Sequence, residues 1–171
     1  MNRIDWTQAA PVLVLEDNET TWTFAEILVD ANNRLTGKRL SADGVNDYFR
    51  RSLHQRQVEK VASVILAVFG VQFGQTPQER HPDMKDAFDQ VSLLAEYLAK
   101  DHYFTDGNKR TTMLAVLGLL RARGIRINVD DSSNPDDNFI YRWIQGIVTH
   151  DHQRYEFASA LRRHAELDVD E

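Results

Sequence analysis

Eleven consecutive residues hold a base candidate, a carboxylate, a Gly-Asn turn and two adjacent cations: His102-Tyr103-Phe104-Thr105-Asp106-Gly107-Asn108-Lys109-Arg110-Thr111-Thr112. An imidazole changes charge between about pH 5 and 8 and can take the proton of a hydroxyl as its oxygen attacks phosphorus, which makes His102 the candidate base. Asp106 offers hard oxygen ligands to Mg2+, an ion that keeps several waters and bridges one or two carboxylates to substrate phosphates. Gly107 lets the backbone approach a ligand closely, and successive amides from Gly107 to Lys109 can form a nest for an oxyanion. Asn108 can add a side-chain donor, Lys109 a point charge and Arg110 a fork matched to two phosphate oxygens. Together they favour a nucleotide polyphosphate.

Singly, each has a plain structural use. Asp-Gly-Asn is a turn sequence, an aspartate can cap a helix, Phe104 can anchor a loop in the core, and neighbouring cations are often solvated. Cations in a first helical turn, however, oppose the helix dipole, a local cost that a bound anion offsets. Other chemistries find less support. There is no cysteine, so disulfides, thiolate nucleophiles and cysteine-bound zinc are out. His150-Asp151-His152 has metal-ligand types but reads as a solvated helix junction, and His54, His81 and His164 lack a partner at convincing spacing. No Gly precedes Gly107 at the distance a P-loop requires.

The elements around these residues must place them. Met113 to Leu120 is apolar all round, the pattern of an enclosed helix, so a central buried helix is expected to begin inside the motif and stop at Gly124. Its first turn would put free amides and the two cations at a positive helix end, where phosphate oxygens bind readily. Ahead of the motif, Asp83 is the expected cap of a helix carrying Met84, Phe88, Val91, Leu94, Ala95 and Leu98 on one face. Gly70 to Pro82, with two glycines and two prolines, reads as a long loop or short hairpin.

Helical punctuation governs most of the remainder. Thr23 and Glu26 have capping-box spacing, and Phe24, Ile27, Leu28, Ala31 and Leu35 follow at helix period until Gly37. Ser41 is expected to open a helix with Val45, Tyr48, Phe49 and Leu53 on one face, continued by Val58, Val61, Ile65, Leu66 and Phe69, with a bend near His54. Beyond the motif helix, Ile125 to Val129 reads as extended and Asp130 to Asp137 as an acidic loop. A helix then carries Phe139, Ile140, Trp143, Ile144 and Ile147, and a last one from about Asp151 carries Tyr155, Ala158 and Leu161. Pro11 to Leu15 is a short strand or packed arm, Glu16 to Glu19 an acidic break, and Glu166 to Glu171 a frayed tail. The expected fold class is all-α.

With 171 residues, 42% of them hydrophobic, the chain fits one domain with a real core. A net charge of −6 disfavours general capture of nucleic acid or anionic lipid. The start, Met1 to Trp6, has no apolar signal core, and no apolar run approaches the roughly 18 residues of a membrane helix, so the expectation is a soluble, cytoplasmic protein.

The motif resembles the signature of the Fic/Doc (death-on-curing) family: His, Phe two residues on, then Asp/Glu, Gly/Ala, Asn, Gly/Lys and Arg. The resemblance covers residues 70 to 120. It implies a Fic-type helical domain, 1–171, with residues 1–40 as an N-terminal extension, 70–82 as a flap and 102–123 as active-site loop and central helix. It further implies transfer of a phosphate-containing group from ATP, with Mg2+, to a Ser/Thr hydroxyl of a target protein. In that scheme His102 is the base, Asp106 holds the metal, Gly107, Asn108 and Lys109 form the anion hole, and Arg110 takes the outer phosphates. Gln72 and Phe73 would form the tip of a flap that holds the target chain.

Two positions depart from the AMP-transferring branch, which usually has Gly where this chain has Lys109 and a second Arg where it has Met113. Both match the Doc branch, whose chemistry is phosphorylation of elongation factor Tu. Doc itself has Ala in place of Gly107. Without the second Arg one anchor for the terminal phosphates is gone, so the triphosphate is expected to bind reversed and present its γ-phosphorus. The nearest match to the family's self-inhibiting segment, Ser92-Leu93-Leu94-Ala95-Glu96-Tyr97, fails at its last position, so restraint would come from an antitoxin in trans. The expectation is therefore a Doc-like toxin that phosphorylates a protein. AMP transfer (AMPylation) is the alternative, and a non-catalytic binding module of the same fold the second.

Overall fold

The computed structural model describes residues 3–37, 47–104, 106–129, 132, 134 and 137–168. Its first element is one helical turn, α1 (Trp6–Ala9), capped by Asp5. The arm that follows is packed rather than free. Gln90, almost fully buried, accepts from the Leu13 amide at 2.8 Å and donates to the Leu13 carbonyl at 2.7 Å, and the Leu15 amide donates to Phe69. Buried amide groups need partners, and this side chain supplies them for the arm.

Asp17, in the stretch read as an acidic break, accepts the Thr20 amide and starts α2 (Asn18–Leu35) before Thr23. The helix then closes as expected, with Gly37 left-handed just beyond it. Its buried stripe is Thr21, Ala25, Leu28, Val29 and Asn32, rotated from the anticipated one, and Ile27 is exposed. Next comes α3 (Asp47–Phe69), which runs unbroken past His54 where a bend was expected. Ser41 and Val45 lie outside the described residues, as do the side chains of Tyr48 and Phe49.

The most enclosed helix is α5 (Ala87–Lys100), reached after a short turn, α4 (Pro77–Arg80). Its cap is Asp86, not Asp83: the Asp86 carboxylate accepts the amides of Phe88 and Asp89. Asp83 is instead 3.4 Å from Arg154. Leu93, Leu94 and Leu98 of α5 belong to one hydrophobic cluster, with α2 and α3. Phe88, Val91 and Ala95 belong to a second. Burying such a Leu or Phe stabilises by about 1.5–3 kcal/mol, so α5 carries much of the packing energy on both sides.

α6 (Asn108–Ala122) lies against α5 and buries Ala115, Val116 and Leu120. It is not enclosed all round as its composition suggested. Leu114 and Gly118, four residues apart, share an exposed side, so α5 occupies the centre expected for the motif helix. After it, β1 (Ile125–Ile127) pairs antiparallel with β2 (Ala165–Leu167), whose Glu166 meets Arg126 at 3.0 Å. Residues expected to fray at 166–167 are thus tied into a ladder.

Between those strands, α7 (Phe139–Val148) and α8 (Arg154–His164) pack on α5. Tyr155, expected to be a core residue of α8, is exposed, and Phe157, Ala158, Ala160 and Leu161 are buried instead. Arg162 clamps α8 to the start of α5, pairing with both Asp86 oxygens at 2.8 and 2.9 Å and with Asp89 at 2.7 Å. Burial works against its charge, but the bonds to the two carboxylates prevail and hold its pKa above the ordinary arginine value. His152 packs on Trp143, with ring centroids 4.3 Å apart, and a Cβ on Gly146 would collide with its ring. Among the described residues no helix is long and apolar enough to cross a membrane, and the chain is mostly helical with one small sheet.

Candidate active site

The motif forms the connection between α5 and α6. α5 ends at Lys100 with Asp101 as its C-cap, and His102 turns the chain in a left-handed conformation (φ 49°) with its side chain exposed. Tyr103 stays half-buried; its carbonyl accepts a hydrogen bond from Gln57 of α3. Burial, reinforced by nearby Asp101, pushes the Tyr103 phenol above its ordinary pKa. Phe104 then plunges into the first cluster, as its size suggested. Thr105 lies outside the described residues.

Asn108 closes the loop. Its Oδ1 accepts from the Phe104 amide at 2.9 Å and its Nδ2 donates to the Phe104 carbonyl at 2.7 Å. Both ends of the amide are engaged within the loop, while the amino group carries a second hydrogen beyond the one given to Phe104. Gly107, the N-cap of α6, is left-handed (φ 73°), a conformation costly for other residues. A Cβ there would lie 2.9 Å from Thr36 and 3.1 Å from Asn32 at the end of α2.

The start of α6 is electrostatically bare. No side chain caps it among the described residues, and its first turn has no acidic residue but includes Lys109 and Arg110. Helix dipole and side-chain charge both point to an anion here. Asp106, exposed, uses Oδ1 to accept the Gly107 amide at 2.7 Å. Lys109 reaches Gln145 of α7 at 3.4 Å.

His102, Asp106, Gly107, Asn108, Lys109 and Arg110 all line one cleft of about 290 Å³. Tyr141 and Val148 of α7 complete its wall. Sequence reasoning passed over both, though Tyr141, Gln145 and Val148 share a side of α7 next to the buried Ile140-Ile144-Ile147 stripe. It also passed over Asn32, whose signal was a polar residue four positions after Leu28, in line with the buried stripe of α2.

The expected flap holds a real hairpin turn. Gln72 and Gln75 exchange backbone bonds at 3.0 and 2.9 Å across Phe73 and Gly74, both left-handed. That is the two-residue turn that follows strand twist. Phe73 stands at the tip, fully exposed, with Gln72 one residue before it. After the turn, Thr76 and Glu79 form a capping box on α4.

The sequence model of the Fic/DOC family matches residues 25–120, more than half of the chain, and the chain belongs to that family. No curated protein and no solved structure matches it. Members of this family are generally transferases that act on protein targets. Its match begins within α2, so part of the stretch set aside as an N-terminal extension lies inside the family region.

Proposed function

We propose that the chain transfers the γ-phosphoryl group of ATP to a Ser or Thr hydroxyl of a protein. The observation that carries the choice of phosphorus is at position 113. There the side chain is Met113, packed against the second cluster, so Arg110 is the one arginine in the first two turns of α6. A single guanidinium fork clamps one phosphate group, and Lys109 draws charge toward the inner end of the cleft.

In this scheme His102 takes the proton of the attacking hydroxyl. The oxygen forms a bond to the γ-phosphorus, the bond from that phosphorus to the β-γ bridging oxygen breaks, and ADP leaves. Amides in the first turn of α6 and the Arg110 fork stabilise the charge on the phosphoryl oxygens, the main task of a protein in phosphoryl transfer. Asp106 would hold Mg2+, which neutralises phosphate charge when bound. One exposed carboxylate, with no cluster of three or more His, Asp or Glu that could hold a metal among the described residues, suits an ion that draws its other ligands from water and phosphates.

The Phe73 tip supports a protein substrate, since a phenyl ring at full exposure gains nothing from folding. Elongation factor Tu is the target that family resemblance suggests. Ser92 is fully buried within α5, where it cannot serve as a mobile brake, which favours an antitoxin in trans. The test is incubation with cell lysate and ATP labelled separately at the α and γ positions. Transfer of γ label alone is expected, and His102→Ala should abolish it while the fold survives. Transfer of α label would replace this reading by AMP transfer. Bound nucleotide with neither label transferred would make the chain a binding module.

A further inference from the structure

We propose that the last turn of α2 is a positioning element of the active-site loop, with Asn32 setting the main chain of Asp106 from outside the motif. The inference rests on the assignment of the loop made above. Asn32 is 2% exposed. Its Nδ2 donates to the Asp106 carbonyl at 2.7 Å and to the Thr111 hydroxyl at 3.0 Å, so one amide ties the residue before the Gly107 turn to the first turn of α6.

Asp106 needs such a tie. Its carboxylate has no bond to another element among the described residues, only the local one to the Gly107 amide. Wherever its peptide rotates, the carboxylate follows. Gly107 in turn rests on Thr36, and the Thr36 hydroxyl donates to the Asn32 carbonyl at 2.9 Å. The end of α2 is thus a socket into which the loop backbone fits. A reacting group misplaced by about 1 Å can lose up to a hundredfold in rate, so a socket of this kind acts on turnover more than on binding.

Asn32→Asp keeps the shape of the side chain and removes the donor. Val29→Ala, buried on the same helix in the first cluster, loosens α2 without touching the loop and serves as control. Asn32→Asp is expected to lower kcat for label transfer from ATP about tenfold, with KM for ATP within about twofold of wild type. Val29→Ala is expected to leave both near wild type. A kcat for Asn32→Asp no lower than that of Val29→Ala overturns the proposal. Asn32→Ala replaces the aspartate variant should that one fail to fold. If the wild-type chain transfers no label, the proposed function fails, and hydrogen exchange in the same proteins decides this inference alone. Faster exchange at residues 106–111 in the Asn32 variant than in Val29→Ala supports it, and equal exchange overturns it.

Discussion

Gly107→Ala probes the junction of α2 and the motif loop with one methyl group. The backbone at Gly107 is left-handed, which costs an L-residue about 1–2 kcal/mol. The new Cβ would lie 2.9 Å from the Thr36 methyl and 3.1 Å from Asn32 Nδ2. Neither neighbour yields freely, because Asn32 is held by two hydrogen bonds and Thr36 by one to Asn32. Overpacking of this kind costs about 1–3 kcal/mol, for a sum of about 2–5 kcal/mol. In a chain of this size the melting temperature should fall by roughly 4–20 °C. Thermal unfolding of wild type, Gly107→Ala, Thr36→Ala and the double variant separates the two contributions. Thr36→Ala removes the colliding methyl, so the alanine at 107 should cost about 1 kcal/mol or more less in that background. An equal cost in both backgrounds, or a Gly107→Ala protein as stable as wild type, would refute the reasoning.

Leu94→Ala, at the fully buried centre of α5, should destabilise by about 2–5 kcal/mol in urea unfolding; a loss under 1 kcal/mol would mean α5 is not the packing centre. Phe73→Gly relieves a left-handed phenylalanine that buries nothing, so the melting temperature should stay level or rise while modification of the protein target weakens; undiminished modification would remove Phe73 from target binding. His81 is held below the ordinary histidine value of 6.5 by burial, then by the charges of Arg154 and Arg80, so its NMR titration midpoint should lie below that value. A lowered folded value means the fold favours neutral His81. Its contribution to stability is present above pH 6.5, the unfolded value, and is lost as the pH falls from there through the lower folded value, a trend that His81→Gln should flatten.

The candidate site was legible because it is contiguous: its residues lie within one loop and one helical turn, and His102, Asp106, Gly107, Asn108, Lys109 and Arg110 line one cleft. What escaped was whatever depended on distant partners. Asn32 looked like one more polar residue on α2 because its partners, Asp106 and Thr111, are remote in sequence. The bonds of the Asn108 side chain to Phe104 were likewise hidden, because they depend on the loop's path. Composition also misplaced the centre. Met113 to Leu120 is the more apolar run, yet α5, with Gln90 and Ser92 among its buried residues, is the more enclosed, since burial depends on which neighbours arrive. Asp86, which Arg162 also binds, caps α5 where Asp83 was expected, and the strand at 165–167 pairs with the distant β1.

The bond from Asn32 to Asp106 closes 74 residues of chain. Contacts of such separation form late, because the entropy of closing the intervening segment must be met before they stabilise anything. The loop's own bonds, such as Asn108 to Phe104, span four residues and can form early. A ribosome releases α2 well before the motif, so the socket waits for its occupant. The geometry of the motif loop is then completed only when the body of the chain has folded, and a partly synthesised or partly folded molecule would carry the whole motif without its final alignment.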